Sequence, residues 1–177
     1  MPRSLWCEPL AEKIYLQADL DPYKEAEAFI DEEKGVPDGK SALAGACDII
    51  AEDISDDADY RREIRTLTME HGLLISKKNG ERNPTYEMYF DYCEKLSGIP
   101  SHRVLAVNRG EAEDCLKVVV SVDSDIILNY MFAQVITRYG SPAFKYVASA
   151  VCDAYDRLIA PSIEREIRAA LTESAGE

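Results

Sequence analysis

A mainly α-helical, multi-helix bundle with one small two-stranded β element is the fold class this 177-residue sequence predicts. Three observations predict it. Apolar residues recur at spacings of three and four over most of the chain, the period of a helix buried on one side. Proline, aspartate and serine stand where such helices would begin, and glycine where they would end. Only two stretches, 73–77 and 115–122, read as strands, and a lone strand cannot satisfy its own backbone groups. These two are therefore expected to pair.

The elements follow in order. Pro9 suits the first turn of a helix over 9–17, with Leu10 and Ile14 inward. Asp21 caps a short helix that opens on Pro22, and EEKGVPDG (32–39) is a breaker-rich loop. Leu43, Cys47, Ile50 and Ile54 fall on one face of a helix over 39–54, with Gly45 inside it marking a close approach. SDDAD (55–59) puts negative charge at the start of the next helix, where the dipole favours it, and Gly72 is expected to end that helix in the left-handed conformation. After LLISK (73–77) and a polar loop, Tyr86, Tyr89, Phe90 and Cys93 space as the buried face of a helix. Ser101 can cap a helix that Gly110 ends. Beyond the second strand, Ile127, Met131 and Val135 mark a helix over 125–139 with Gly140 as its cap. Phe144, Val147, Val151, Tyr155 and Leu158 mark another, which Pro161 ends or kinks, and Ile163, Ile167 and Leu171 continue the stripe before a frayed tail. Two helical subdomains, 1–72 and 73–177, fit this layout.

Composition excludes several functions. Apolar types make up 46% and charged types 30%, enough for a packed core. No run approaches the roughly 20 apolar residues of a membrane span, and the N-terminus lacks the apolar stretch of a signal peptide, so the expected compartment is the cytoplasm. The five cysteines, Cys7, Cys47, Cys93, Cys115 and Cys152, form no C-x-x-C pair. His71 and His102 lie outside ligand spacing of any of them, so neither a metal site nor a disulfide scaffold is expected. Cys47, Cys93, Cys115 and Cys152 read as small hydrophobes in helices and a strand. VPDGKSALAG holds a Gly-Lys-Ser, but the earlier glycine of a phosphate loop is replaced by Lys34. No catalytic constellation emerges. The expectation is no enzyme, no cofactor and no small-molecule substrate.

Charge is unevenly spread. Residues 1–60 hold 5 basic and 16 acidic side chains, a net of −11, within a chain of net charge −13. Residues 61–82 hold 6 basic (Arg61, Arg62, Arg65, Lys77, Lys78, Arg82) against 3 acidic, a net of +3. The basic stretch is either a local phosphate-contacting patch or a solvated helix whose arginines pair with acidic neighbours. The acidic third suits a basic protein partner.

Four stretches together carry a family resemblance: DPYKEAEAFIDEEKGV (21–36), ALAGACDIIAEDISDDADYRREIR (42–65), YFDYCEKLSGIPSHRVLAVNRGE (89–111) and RLIAPSIEREIRAALTESA (157–175). They resemble the bacterial Tex family of transcription accessory proteins, and more distantly its eukaryotic elongation-factor relative. The resemblance implies part of a helical N-terminal region with a helix-turn-helix-like portion. It also implies that the family's YqgF-like, helix-hairpin-helix and OB-fold domains are absent from this sequence. RNA and DNA binding in the family is credited mainly to the OB-fold domain. The implied function is a helical scaffold associated with nucleic acid and transcription. The alternative is a protein–protein module that meets transcription machinery through the acidic third. Weak phosphate contacts are expected from Arg61, Arg62 and Arg65, from Lys77, Lys78 and Arg82, and from Ser101, His102, Arg103 and Arg109 in the PSHR and NRG strings. The helix start at Ser101 would add backbone donors.

Overall fold

A computed structural model describes residues 3–176 of the chain. It is mainly helical, and its residues group into two compact units. The sequence layout suggested a division near 72–73. The units are instead each built from separated segments: residues 1–61 with 128–160, and residues 62–127 with 161–177.

The first unit is organised around the longest helix in it, α4 (Gly39–Ser55). Asp38 starts α4 by accepting from the Ser41 N–H at 2.7 Å. Its buried face comprises Ala42, Leu43, Ala46, Ile50, Ala51 and Ile54, the small residues letting neighbours come close. Packed on it are α1 (Arg3–Trp6), α2 (Glu8–Tyr15), α3 (Pro22–Glu27) and α8 (Phe144–Asp153). Cys47 is only half-buried and points its thiol at the Tyr146 carbonyl, 3.7 Å away. The start signals hold for α3, where Asp21 accepts from the Tyr23 N–H at 3.0 Å. Helix α5 (Ala58–His71) is capped by Asp57, which accepts from the N–H groups of Asp59 and Tyr60.

The second unit holds a three-stranded antiparallel sheet of order β2-β1-β3, formed by β1 (Leu73–Lys78), β2 (Asp91–Lys95) and β3 (Leu116–Ser121). The expected pairing of 73–77 with 115–122 is present, with Ile75 opposite Val119. The third strand was not expected. Residues 84–89 form a 3-10 helix that buries Tyr86 and Tyr89, and the chain then turns into β2. A 3-10 helix repeats every three residues, so the Tyr86–Tyr89 spacing imitates an α-helical face. Helix α6 (Ser101–Ala112) packs Val104 and Val107 toward β3.

Of the three glycines expected to end helices, Gly72 does follow the last residue of α5, but not in the left-handed conformation, and Gly110 ends nothing. Gly72 does not adopt positive φ; a Cβ there would lie 2.4 Å from the Thr68 carbonyl oxygen and 2.8 Å from Leu96 Cδ1. Gly110 lies inside α6, where a Cβ would meet Leu116 Cδ1 at 2.4 Å. They are sites of close packing, and the left-handed residue just after α6 is Asp114, with φ 57. Ser101 is the first residue of α6 and Pro100 occupies the cap position without a side-chain bond, so Ser101 does not cap.

Helix α7 (Ser124–Val135) buries Ile127, Met131 and Val135 as expected, but stops four residues early and without Gly140 as its cap. Pro161 does not end the last helix. A π-helical turn over Ala154–Ile159 widens the chain just ahead of it, and α9 (Ala160–Gly176) continues. The wider turn relieves the clash a proline ring makes with the carbonyl four residues back. The tail is helical through Gly176, and Glu177 lies outside the described residues.

Candidate nucleic-acid interface

Strand register decides which side chains share a face. Lys77 on β1 stands opposite Asp91 on β2 and Lys117 on β3. Ile75 stands opposite Cys93 and Val119, and Leu73 opposite Lys95 and Ser121. Side chains alternate along a strand, so these rows share one face. The other face, with Leu74, Ser76, Leu116 and Val118, is buried. The Ser76 hydroxyl donates there to the Tyr89 carbonyl at 2.8 Å, which anchors the 3-10 helix beneath β1.

The outer face therefore carries a half-buried middle row around Ile75 and Val119, with Lys77, Lys95, Lys117 and Asp91 exposed around it. Lys77 donates to Asp91 and holds that carboxyl below its usual range, chiefly through the hydrogen bond itself and then through charge. Lys95 and Lys117 have no side-chain hydrogen bond or ion pair among the described residues. Lys77 and Lys117 form a like-charged cross-strand pair, an arrangement that an anion placed over the face would relieve.

The ten residues expected at a phosphate site are not gathered into one cluster. Arg61 donates to the Ser55 carbonyl at 3.1 Å, and Arg62 is likewise engaged by neighbours. Arg65 is exposed on the same helix. Lys78 reaches back to the Gly80 carbonyl at 3.3 Å. Arg82 pairs with Glu87 and lies 6.0 Å from the Phe90 ring centroid. The hollow bordering Arg82, about 510 Å³, is also lined by Glu81, Glu113 and Asp114, a poor setting for a phosphate. Arg103 is held by Glu94 at 3.5 Å and by the Tyr92 ring at 5.7 Å. Ser101, His102 and Arg109 are exposed on α6. Of the ten, only Lys77 lies on the outer sheet face.

Lys95 and Lys117 were missed. The signal for Lys117 was available in part: once 73–77 pairs with 115–122, period-two alternation puts every second β3 residue on one face, and the register then selects Lys117. Lys95 required β2, whose polar alternation gives no strand signal of its own.

Among the described residues no group of three or more His, Cys, Asp or Glu side chains could hold a metal ion, and no helix is long and apolar enough to cross a membrane. None of the five cysteines is in a disulfide; Cys7 is fully buried, and Cys93, expected inside, is exposed on β2.

Helical units, one of them built around a small three-stranded sheet with a lysine-bearing outer face, define a mainly α protein segment. The chain belongs to the Tex family: the family model described as Tex central region-like matches residues 17–177. It is 39% identical to the uncharacterized protein YdcI of Bacillus subtilis over 99% of this chain and 25% of that protein. It is 29% identical to the transcriptional accessory protein Tex of Neisseria gonorrhoeae over 95% of this chain and 23% of that protein. The human S1 RNA-binding domain-containing protein 1 is 27% identical over 80% of this chain, which spans 16% of it. The chain thus covers a quarter or less of the length of these relatives.

Proposed function

We propose that this chain is a non-enzymatic scaffold segment of a Tex-like transcription accessory factor, and that it adds a weak, salt-dependent contact to RNA or DNA whose main grip lies elsewhere in the longer factor. The observation that carries the contact is the Lys77–Lys117 cross-strand pair, with Lys95 on the same exposed face. Phosphates would occupy the position left without a carboxylate beside Lys117, and the middle row offers no hydrogen bonds to base edges. Such a surface holds backbone and reads no sequence. The net charge of −13 keeps the contact local, because the rest of the surface repels a polyanion. The names of the relatives, one a transcriptional accessory protein and one an S1 RNA-binding domain-containing protein, support the setting.

Fluorescence anisotropy with a labelled single-stranded RNA and a duplex DNA at low salt tests this reading. Lys95→Glu with Lys117→Glu should abolish binding, while Lys78→Ala with Arg82→Ala should leave most of it. Equal loss in both variants would remove the sheet face from the site.

A further inference from the structure

We propose that a groove of the first unit, formed by α2, α4 and the start of α5, receives a lysine or arginine side chain from a basic amphipathic segment of a partner protein. The groove encloses about 240 Å³. Pockets for drug-sized ligands run from about 300 to 1,000 Å³, so this one suits a single long side chain better than a metabolite. Its floor is apolar, with Ile50 and Ile54 each 2% exposed. An aliphatic stem can lie on such a floor while its charged tip stays at the mouth.

The mouth supplies the opposite charge. Glu8, Glu12 and Asp53 line the groove, and none of them is paired with a cation among the described residues. Burial, and then the nearby Asp56, push the Asp53 carboxyl above its usual range, and a cation beside it would relieve both. Tyr15 and Tyr60 complete the lining with aromatic surface of the kind that attracts ammonium and guanidinium groups. A nucleic acid is repelled by these carboxylates. A bare metal ion gains nothing from the apolar floor. A short basic helix or extended segment with one apolar side matches floor and rim together.

The inference deepens the expectation that the acidic N-terminal third meets a basic partner, and it stands apart from the nucleic-acid reading, which concerns the second unit. The test uses the full chain and a fluorescently labelled amphipathic lysine–leucine peptide. Glu12→Gln with Asp53→Asn should weaken peptide binding by about tenfold, whereas Glu32→Gln with Glu33→Gln, the same change in net charge on an exposed turn, should alter it less than about twofold. Unchanged thermal melting of both variants confirms that each is folded. Equal weakening in the two variants would reduce the effect to overall charge and overturn the proposal. So would absence of binding to the unmodified chain, or full displacement of the peptide by equimolar spermidine, which carries charge without an apolar side.

Discussion

The side-chain amide of Gln17 donates to the main-chain carbonyl of Val135 at 2.9 Å, across 118 residues of sequence. Its Oε1 accepts in turn from the N–H groups of Thr137 at 2.9 Å and Arg138 at 3.3 Å. Gln17 thus closes the open end of α7 as a cap borrowed from the N-terminal segment, which is why that helix stops at Val135. The same residue is 1% exposed and holds a left-handed backbone with φ 55. A non-glycine residue in that conformation stays there only when its surroundings hold it.

Gln17→Ala should therefore lower stability by about 2 kcal/mol, because it leaves a carbonyl and an N–H of the α7 end without their partner. Gln17→Glu should also be destabilising, since a carboxylate cannot donate to Val135. Urea unfolding measures both as a lower midpoint at unchanged slope. A wild-type midpoint for Gln17→Glu would show that the bond to Val135 contributes nothing.

Gly72→Ala should cost more than Gly110→Ala. The new methyl at 72 meets backbone, the Thr68 carbonyl oxygen, which cannot turn aside. At 110 it meets the Leu116 side chain, which can rotate at the expense of packing. Overpacking typically costs about 1–3 kcal/mol, and Gly72→Ala is expected at the upper end. Thermal melts of the two variants give the ranking directly.

Salt dependence reports how many phosphates the sheet face neutralises. Neutralising rather than reversing the two charges, with Lys95→Gln and Lys117→Gln, should leave measurable binding and reduce the slope of log affinity against log salt by about 2. Titrations at several ionic strengths supply the slopes. An unchanged slope with lower affinity would mean that the variant acts through shape and not through charge.

Thiol chemistry should separate Cys93 from Cys47. Burial, with Asp48 and Asp153 adding to it, pushes the Cys47 thiol up to about 11, so its reactive thiolate is scarce at mildly alkaline pH and rises only toward that value. Cys93 is exposed on β2. Iodoacetamide followed by peptide mass spectrometry should find Cys93 alkylated well before Cys47 in the native chain, and the difference should vanish in denaturant.

The pair Arg157–Asp153, with Nη2 to Oδ2 at 2.8 Å, holds the Asp153 carboxyl below its usual range. A carboxylate whose folded value is lowered adds stability that is fully present above its unfolded value and disappears as pH falls through the lowered one. Asp153→Asn should thus destabilise slightly at neutral pH and not at all in strong acid. Urea midpoints at the two pH values check the sign.

Much of the helical framework was legible because one-sided burial writes itself into spacing. Ile50 and Ile54 in α4, and Ile127, Met131 and Val135 in α7, are all buried where the pattern put them. Asp21 and Asp38 begin α3 and α4 through side-chain bonds that a sequence can show, being local. The stretch 84–95 was misread because Tyr86 and Tyr89 keep a three-residue spacing common to both helix types, and β2 has only polar alternation. Gly72 and Gly110 look like helix terminators in sequence; the neighbours that require them, Leu96 and Leu116, come from other elements.

The candidate interface was legible in part. The two strands and Lys77 could be read, since β-branched runs are local signals. Lys95 became its neighbour only through a third strand and Lys117 through the register of the two expected ones, and most of the other cations turned to carboxylates or carbonyls that no spacing announces. What the amino-acid order alone determined is therefore local: where helices begin, which of their sides are greasy, and where two strands lie. Which charges stand together, and where α7 stops, was decided by contacts between residues far apart in the chain, because a hydrogen bond or a strand pairing depends on distance in space and leaves no periodic trace along the sequence.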